Sequence, residues 1–345
     1  MSKHTSSFTE NSILVPRIVN GISYKYTLYY KIIHPNSFLS KIHPPLVVIH
    51  GGLGLPSDYL QPMATQIQEG RSVVFYDMLG CGRSESPPLL EYYSIPDAVH
   101  DLHLLLTHLK MSQFHLYAHS AGVVIAYEYL KLYNHSNLSL QQDSSTTSIP
   151  TDNNNSCSGN SCTCLSAIFA SGSFHMGLAK QCTDAVQQKI QHDLEEGDSN
   201  DYEEESSSRT TTDYRHWKTF HAKSNNLAEN IRKSVICRTK TMPLALKTAY
   251  EKSGTIWKGI SVIQDYVATC PEDISCIPPI LLLRGEFDFI EKDLVFAGWM
   301  NVLGECEKRI EMTTLRNCSH MPMLEDPTLH GRMIRSFYSQ HDTVT

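Results

Sequence analysis

An α/β fold, with a mostly parallel sheet covered by helices on both faces, is predicted by two features of this 345-residue chain. Short apolar runs of strand length alternate with segments whose apolar residues recur at helical spacing. Glycine-rich or small-residue turns follow several of those runs directly, as at His50-Gly-Gly-Leu-Gly54 and Ala118-His-Ser-Ala-Gly122.

The elements follow in order. Residues 12–33 read as two strands, because Ile18, Ile22, Tyr24, Tyr26 and Leu28 alternate around Gly21 in a hairpin pattern. A proline-rich link, His43-Pro44-Pro45, precedes the buried-strand run Leu46-Val-Val-Ile49. Helical spacing follows at Leu60, Met63, Ala64 and Ile67, with Gly70 as the stop, and Ser72–Asp77 is a further strand. The next turn, Met78–Ser84, is glycine-rich but lacks the order of a phosphate loop, which argues against nucleotide binding. Ser94 caps a helix carrying Val99, Leu102, Leu106 and Leu109 on one face. The alternating segment Phe114–Tyr117 is a strand, and the run Val123–Leu130 is a helix apolar nearly all round and hence buried.

The alternation then breaks. Ser136 to Cys164 is a polar stretch of Ser, Thr, Asn, Asp and Gln, expected to be a disordered insertion because it cannot bury enough surface to order itself. Ser166–Ala170 restores the strand pattern. Residues 174–275 carry helical patterns (Leu178, Cys182, Val186, Ile190, Leu194) and the aromatics Tyr214, Trp217, Phe220 and Trp257, and read as a helical cap. Within it, Asp193–Glu205 holds eight acids and no base, expected to be a solvated loop. The sheet resumes at Pro279–Leu283. An amphipathic helix follows through Leu294, Val295, Ala297 and Trp299, then a strand at Arg309–Leu315 and a last helix with Leu329, Met333 and Phe337. The expected organisation is a core in two parts, 12–173 and 276–345, with the cap at 174–275 between them.

Composition narrows the function classes. The hydrophobic fraction of 41% supports a substantial core, and the net charge of −7 with no Lys/Arg cluster argues against a nucleic-acid partner. No run approaches the ~18 apolar residues of a membrane span. The first twenty residues contain no secretory signal pattern, so a soluble cytoplasmic protein with reduced thiols is expected. The C-x4-C-x-C cluster Cys157, Cys162, Cys164 lacks the paired spacing of a structural zinc site.

Three chemistry-bearing residues, Ser120, Asp288 and His320, fall just past the C-terminal ends of three expected strands, where ligands gather in open parallel sheets. A serine hydroxyl becomes nucleophilic when an adjacent imidazole takes its proton, and a carboxylate fixes that imidazole's tautomer. The order Ser, Asp, His is the α/β-hydrolase order, with Ser120 on the strand-to-helix elbow. Each position also has a plainer reading: Asp288 could cap the helix starting near Ile290, and the glycines of 51–54 could be a flexible loop rather than N–H donors for an oxyanion. Glu286 is a second candidate acid. Glu325 and Asp326 follow His320 too closely to orient it easily.

Four segments together resemble the proline iminopeptidases and related serine aminopeptidases: His50-Gly-Gly-Leu-Gly54, Phe75-Tyr-Asp-Met-Leu-Gly-Cys-Gly-Arg-Ser84, Gly285-Glu-Phe-Asp288 and Asn317-Cys-Ser-His320. The resemblance runs from about residue 20 to the C-terminus, apart from the insertion. It implies an α/β-hydrolase fold with a helical cap, no metal or cofactor, and release of an N-terminal amino acid from a short peptide or amide. It also implies Ser120 as nucleophile, Asp288 as acid, His320 as base, and the backbone N–H groups of Gly52 and Ala121 as the oxyanion hole. Two departures accompany it. The elbow has Ala118 and Val123 where the family usually has glycines, and Gly254-Thr-Ile-Trp257 lacks the cap glutamate that pairs with a substrate's free amine. Two other readings stay open: an esterase or lipase on small acyl esters, and a non-catalytic fold that binds a ligand as a receptor.

Overall fold

The computed structural model describes residues 7–35, 43–52, 54–67, 70–134, 162–199, 227–254 and 262–342. Their strands are β1 (Phe8–Val19), β2 (Ile22–Ile33), β3 (His43–Ile49), β4 (Arg71–Tyr76), β5 (Gln113–His119), β6 (Thr163–Ala170), β7 (Ile280–Gly285) and β8 (Ile310–Leu315). They form one eight-stranded sheet in the order β1-β2-β4-β3-β5-β6-β7-β8. The β1–β2 and β2–β4 pairs are antiparallel and every other pair is parallel.

The hairpin forms where the alternation places it. Asn20 and Gly21 both have positive φ (51° and 76°), as a two-residue turn between twisted strands requires. In the central strands, successive side chains enter opposite cores. Val47, Ile49, Leu116, Ala118 and Phe169 pack in one cluster, and Leu46, Val48, Tyr117, Ile168 and Ala170 in the other. A period of two thus becomes two buried layers, and strands covered on both faces read as continuous apolar runs.

Helices α1 (Met63–Ile67), α2 (Ile95–His108) and α3 (Gly122–Tyr133) precede β6. The Ser94 hydroxyl accepts the Asp97 N–H (3.1 Å) and donates to the Asp97 carboxylate (2.6 Å), which fixes the start of α2. A buried pair, Arg17 and Asp101 (2.6 Å), ties β1 to α2.

Between β6 and β7 the described residues include α4 (Met176–Ser199), a π-helical turn at Arg232–Ile236 and α5 (Leu244–Glu251). The extended pairing found there is an isolated bridge, His175 with Val267. Three of its backbone contacts reach the core: Gly254 N–H donates to Gly54 O (2.8 Å), Gly82 N–H to Lys252 O (3.1 Å), and His320 N–H to Val235 O (3.1 Å). After β7 come α6 (Lys292–Val295), α7 (Ala297–Leu303), α8 (Pro322–Glu325) and α9 (Pro327–His341).

Four details correct the sequence reading. His43 to Pro45 belong to β3, with a register shift between His43 and Leu46 at the two prolines, which cannot donate to a ladder. The polar insertion stops short of Cys164: β6 starts at Thr163, paired with Gln113, and Cys162 and Cys164 are buried. The acidic run opens inside α4, with Asp193 and Glu195 on its exposed side, and not in a loop. The helix expected through Leu294 and Trp299 is two helices, broken at Phe296 (φ −102°, ψ −67°). Residues 135–161, Cys157 among them, and Tyr214, Trp217, Phe220, Trp257 and 201–205 lie outside the described residues.

Candidate active site

The elbow is built by close approach. Ser120 follows β5 with φ +54°, a left-handed conformation that a non-glycine residue adopts at a cost of about 1–3 kcal/mol. It is held there by its N–H donating to Ala170 O on the neighbouring strand (2.8 Å) and by its carbonyl accepting from Val123 at the start of α3 (3.0 Å). Glycine is required beside it for space. A Cβ on Gly122 would stand 2.5 Å from His50 O, and one on Gly51 would stand 2.7 Å from the Cβ of Ser120. Alanine suffices at position 118, where the side chain is buried in the core under α3.

Asp288 and His320 come together from the turns that follow β7 and β8. His320 Nδ1 donates to Asp288 Oδ1 (2.9 Å), which also accepts the Ile290 N–H (3.1 Å). Both side chains are buried. Burial pushes the Asp288 carboxyl up, but the charge and ring hydrogen bond of His320 and the Ile290 N–H outweigh it, so its pKa is lowered. The imidazole therefore faces a carboxylate at neutral pH, and with the Nδ1 proton given to Asp288 the other nitrogen, Nε2, is bare whenever the ring is neutral.

The nearby acids do other work. Glu325 accepts from the N–H groups of Ser319 (3.0 Å) and Met321 (3.2 Å), bracketing His320 without touching its ring. Glu286 accepts the Asn317 N–H (2.9 Å) in the same loop, and Asp326 caps α9 by accepting from Leu329 (2.9 Å). Phe289 packs its ring 4.3 Å from that of His320.

Ser120, His320, Gly52 and Ala121 line one cavity of about 270 Å³. Asp288 lies behind His320, outside the lining. One wall is the face of α4 that carries Met176, Ala179 and Thr183, at helical spacing; Ile236, Tyr250, Ile290 and Met321 contribute others. Among the described residues lining the cavity, none is an Asp, Glu, Lys or Arg.

The two glycine-rich turns are cross-braced beneath it. Met78 N–H donates to His50 Nε2 (2.9 Å), leaving Nδ1–H to donate to Gly51 O (3.1 Å). Burial, only partly opposed by Asp77, lowers the His50 pKa and keeps the ring neutral. Asp77 in turn accepts from the backbone N–H groups of Ser57 (2.9 Å) and Arg83 (3.0 Å).

Sequence reasoning missed Tyr59 and His119, which line the cavity beside Ser120. His119 stood inside the elbow motif, but a residue between two small ones carries no pattern of its own. Tyr59 directly precedes a helical run whose apolar spacing accounts for a tyrosine there by packing alone.

The comparisons with known proteins agree with this architecture. Residues 44–153 match the model of the α/β-hydrolase fold family. A proline iminopeptidase of Clostridium botulinum is 32% identical over 105 residues, 30% of this chain and 35% of that protein. One from Lactobacillus helveticus is 35% identical over 111 residues, 32% of this chain and 36% of that protein. The chain thus spans about a third of the length of the curated relatives it matches. In solved structures, a Mycobacterium smegmatis proline iminopeptidase superposes with TM-score 0.65 at 17% identity, covering 96% of this chain and 98% of that one. A thermophilic esterase of Thermogutta terrifontis superposes with TM-score 0.60 at 13% identity, covering 96% and 100%.

Proposed function

We propose that this chain, whose fold is that of the α/β hydrolases and whose matched segment resembles proline iminopeptidases, is a serine hydrolase working through an acyl-enzyme. One observation carries the reading: the buried 2.9 Å bond between Asp288 and His320, set behind the cavity that Ser120 lines on its strained elbow. In this mechanism Ser120 Oγ attacks the substrate carbonyl carbon while His320 Nε2 takes its proton. The oxygen's developing charge is met by the N–H groups of Gly52 and Ala121. Collapse of the tetrahedral species breaks the bond to the leaving amine or alcohol, which receives the proton from His320. Water then repeats the sequence on the acyl-serine. Asp288 keeps Nδ1 protonated throughout and stabilises the imidazolium. The segment 174–275 serves as the cap that closes the site, a role supported by the α4 face and Ile236 in the cavity wall.

The relatives point to a substrate with a free N-terminal residue, an amide or short peptide. A second reading, a small acyl ester, is favoured by the cavity, since its described lining offers no carboxylate to an ammonium group. Leaving such a charge unpaired in a buried site costs about 3–5 kcal/mol. Residues 255–261, where the family glutamate would be sought, lie outside the described residues. A fluorophosphonate label followed by two substrates separates the readings. Labelling with turnover of L-prolyl-p-nitroanilide supports the aminopeptidase reading, and labelling with turnover of p-nitrophenyl butyrate alone supports the ester reading. Absence of labelling defeats both and leaves a ligand-binding fold.

A further inference from the structure

His119 lies directly before Ser120, is almost fully buried, and does not face the Asp288 carboxylate. Its two nitrogens instead lie on a line of hydrogen bonds that crosses beneath the elbow. Gly51 N–H donates to Tyr59 Oη (2.7 Å), Tyr59 Oη lies 2.9 Å from His119 Nδ1, and His119 Nε2 lies 2.8 Å from the carbonyl oxygen of His320.

The chemistry of the end groups fixes the direction of every bond. An amide N–H can only donate, so Gly51 occupies the tyrosine oxygen as acceptor and leaves the hydroxyl proton for His119. A carbonyl can only accept, so Nε2 must carry the imidazole proton and Nδ1 must be bare. One tautomer of a neutral ring satisfies both ends. Protonating His119 would turn Nδ1 into a donor facing the tyrosine oxygen and would leave the hydroxyl proton without its partner in a dry site. The titratable groups around the ring are Tyr59, His320, Asp288 and His330. Burial, reinforced by His320, lowers its pKa to about 3.

The two ends of this line are the two parts that acyl transfer must hold in register. Gly51 precedes Gly52 in the donor turn, and the His320 carbonyl belongs to the residue proposed as base. The same His320 peptide is gripped on its other side, where its N–H donates to Val235 O in the π-helical turn (3.1 Å). With its backbone held at both polar atoms and its ring held by Asp288, His320 has few ways to drift from Ser120. A side chain that merely filled space at position 119 would need none of these bonds.

We propose that Tyr59 and His119 are positioning residues: a neutral relay that locks the oxyanion-donor turn and the base-bearing loop into one frame across the elbow. The proposal rests on the reading of Ser120 and His320 as nucleophile and base. It assigns the relay no proton transfer with the substrate; its effect is on geometry, and a misplacement of about 1 Å at a reacting centre can cost on the order of 100-fold in rate.

The test uses the full chain, with p-nitrophenyl butyrate turnover and the rate of fluorophosphonate labelling as readouts. Tyr59→Phe removes the hydroxyl and keeps the ring. His119→Leu removes both nitrogens. His119→Gln can still donate to the His320 carbonyl and accept from Tyr59. The expected result is a kcat and labelling rate about 10–100-fold lower in Tyr59→Phe and His119→Leu, with KM within about twofold. His119→Gln should recover most of that loss. Unchanged kcat in both Tyr59→Phe and His119→Leu, or a His119→Gln variant no better than His119→Leu at equal melting temperature, would overturn the relay. Tyr59→Phe carries the test if position 119 does not tolerate leucine. A wild-type protein that neither labels nor turns over would instead defeat the hydrolase reading beneath it.

Discussion

Replacing the Asp288 carboxylate by an amide alters charge and proton placement while keeping shape. In Asp288→Asn the amide can turn its NH2 to the place of Oδ1, giving up the Ile290 N–H bond and stabilising the ring tautomer with the proton on Nε2. A His320 in that form cannot take the proton of Ser120. The expected outcome is a kcat lower by about 10⁴-fold with the melting temperature nearly unchanged, measured on the better of the two chromogenic substrates. A loss under about tenfold would mean that Asp288 is a helix-capping residue after all. At this scale the sequence was informative where a residue's place just past a strand end is distinctive: Asp288 and His320 are brought together there, and Ser120 and His320 line one cavity. It was silent on Tyr59, because a tyrosine beside an apolar helical run looks the same whether its hydroxyl points to solvent or to a histidine.

Among the elements, those with a strong local code were legible and those whose boundaries depend on distant neighbours were not. Helix α2 could be placed because the serine at its start offers the backbone a cap and its apolar residues recur on one face. The central strands could be placed because burial on both faces leaves an uninterrupted apolar run. The start of β6 was hidden: Thr163 and Cys164 follow a long polar stretch, and their strand character comes from pairing with Gln113 and Phe114 on β5. The start of β3 was hidden for the opposite reason, since two adjacent prolines signal a link locally while the sheet accepts them as strand residues at a register shift. In α4, a helix continues through acids that solvent can reach, and acidity alone does not separate an exposed helical face from a loop.

At the scale of the whole molecule, the end of the sheet opposite the cavity is closed by Asp342 beyond α9. Its carboxylate accepts from His43 Nδ1 (2.6 Å), Arg71 Nη2 (2.8 Å) and His115 Nε2 (3.1 Å), on β3, β4 and β5. His115 Nδ1 then accepts from the hydroxyl of Ser166 on β6 (2.8 Å). Serine, histidine and aspartate are in line here too, but Ser166 and His115 are wholly buried, so the arrangement serves as a clasp. His115 is one of three buried histidines that make stability depend on pH. Burial lowers the pKa of His115 to about 4, and of His119 and His330 to about 3, against about 6.5 in an unfolded chain. Between about pH 6.5 and 4 the unfolded chain therefore binds more protons than the folded one, and stability rises with pH through that window. The melting temperature should fall steadily as pH is lowered from 7 to 5. A flat melting temperature over that range would mean that these histidines are not held neutral.

The central claim is that Ser120 is the nucleophile, and one measurement addresses it directly: fluorophosphonate labelling of wild type and Ser120→Ala side by side, with the modified peptide identified by mass spectrometry and folding followed by circular dichroism. The wild-type label should map to Ser120, and Ser120→Ala should melt as the wild type does while showing neither label nor turnover. Labelling at another serine, or turnover that survives in a folded Ser120→Ala protein, would contradict the account.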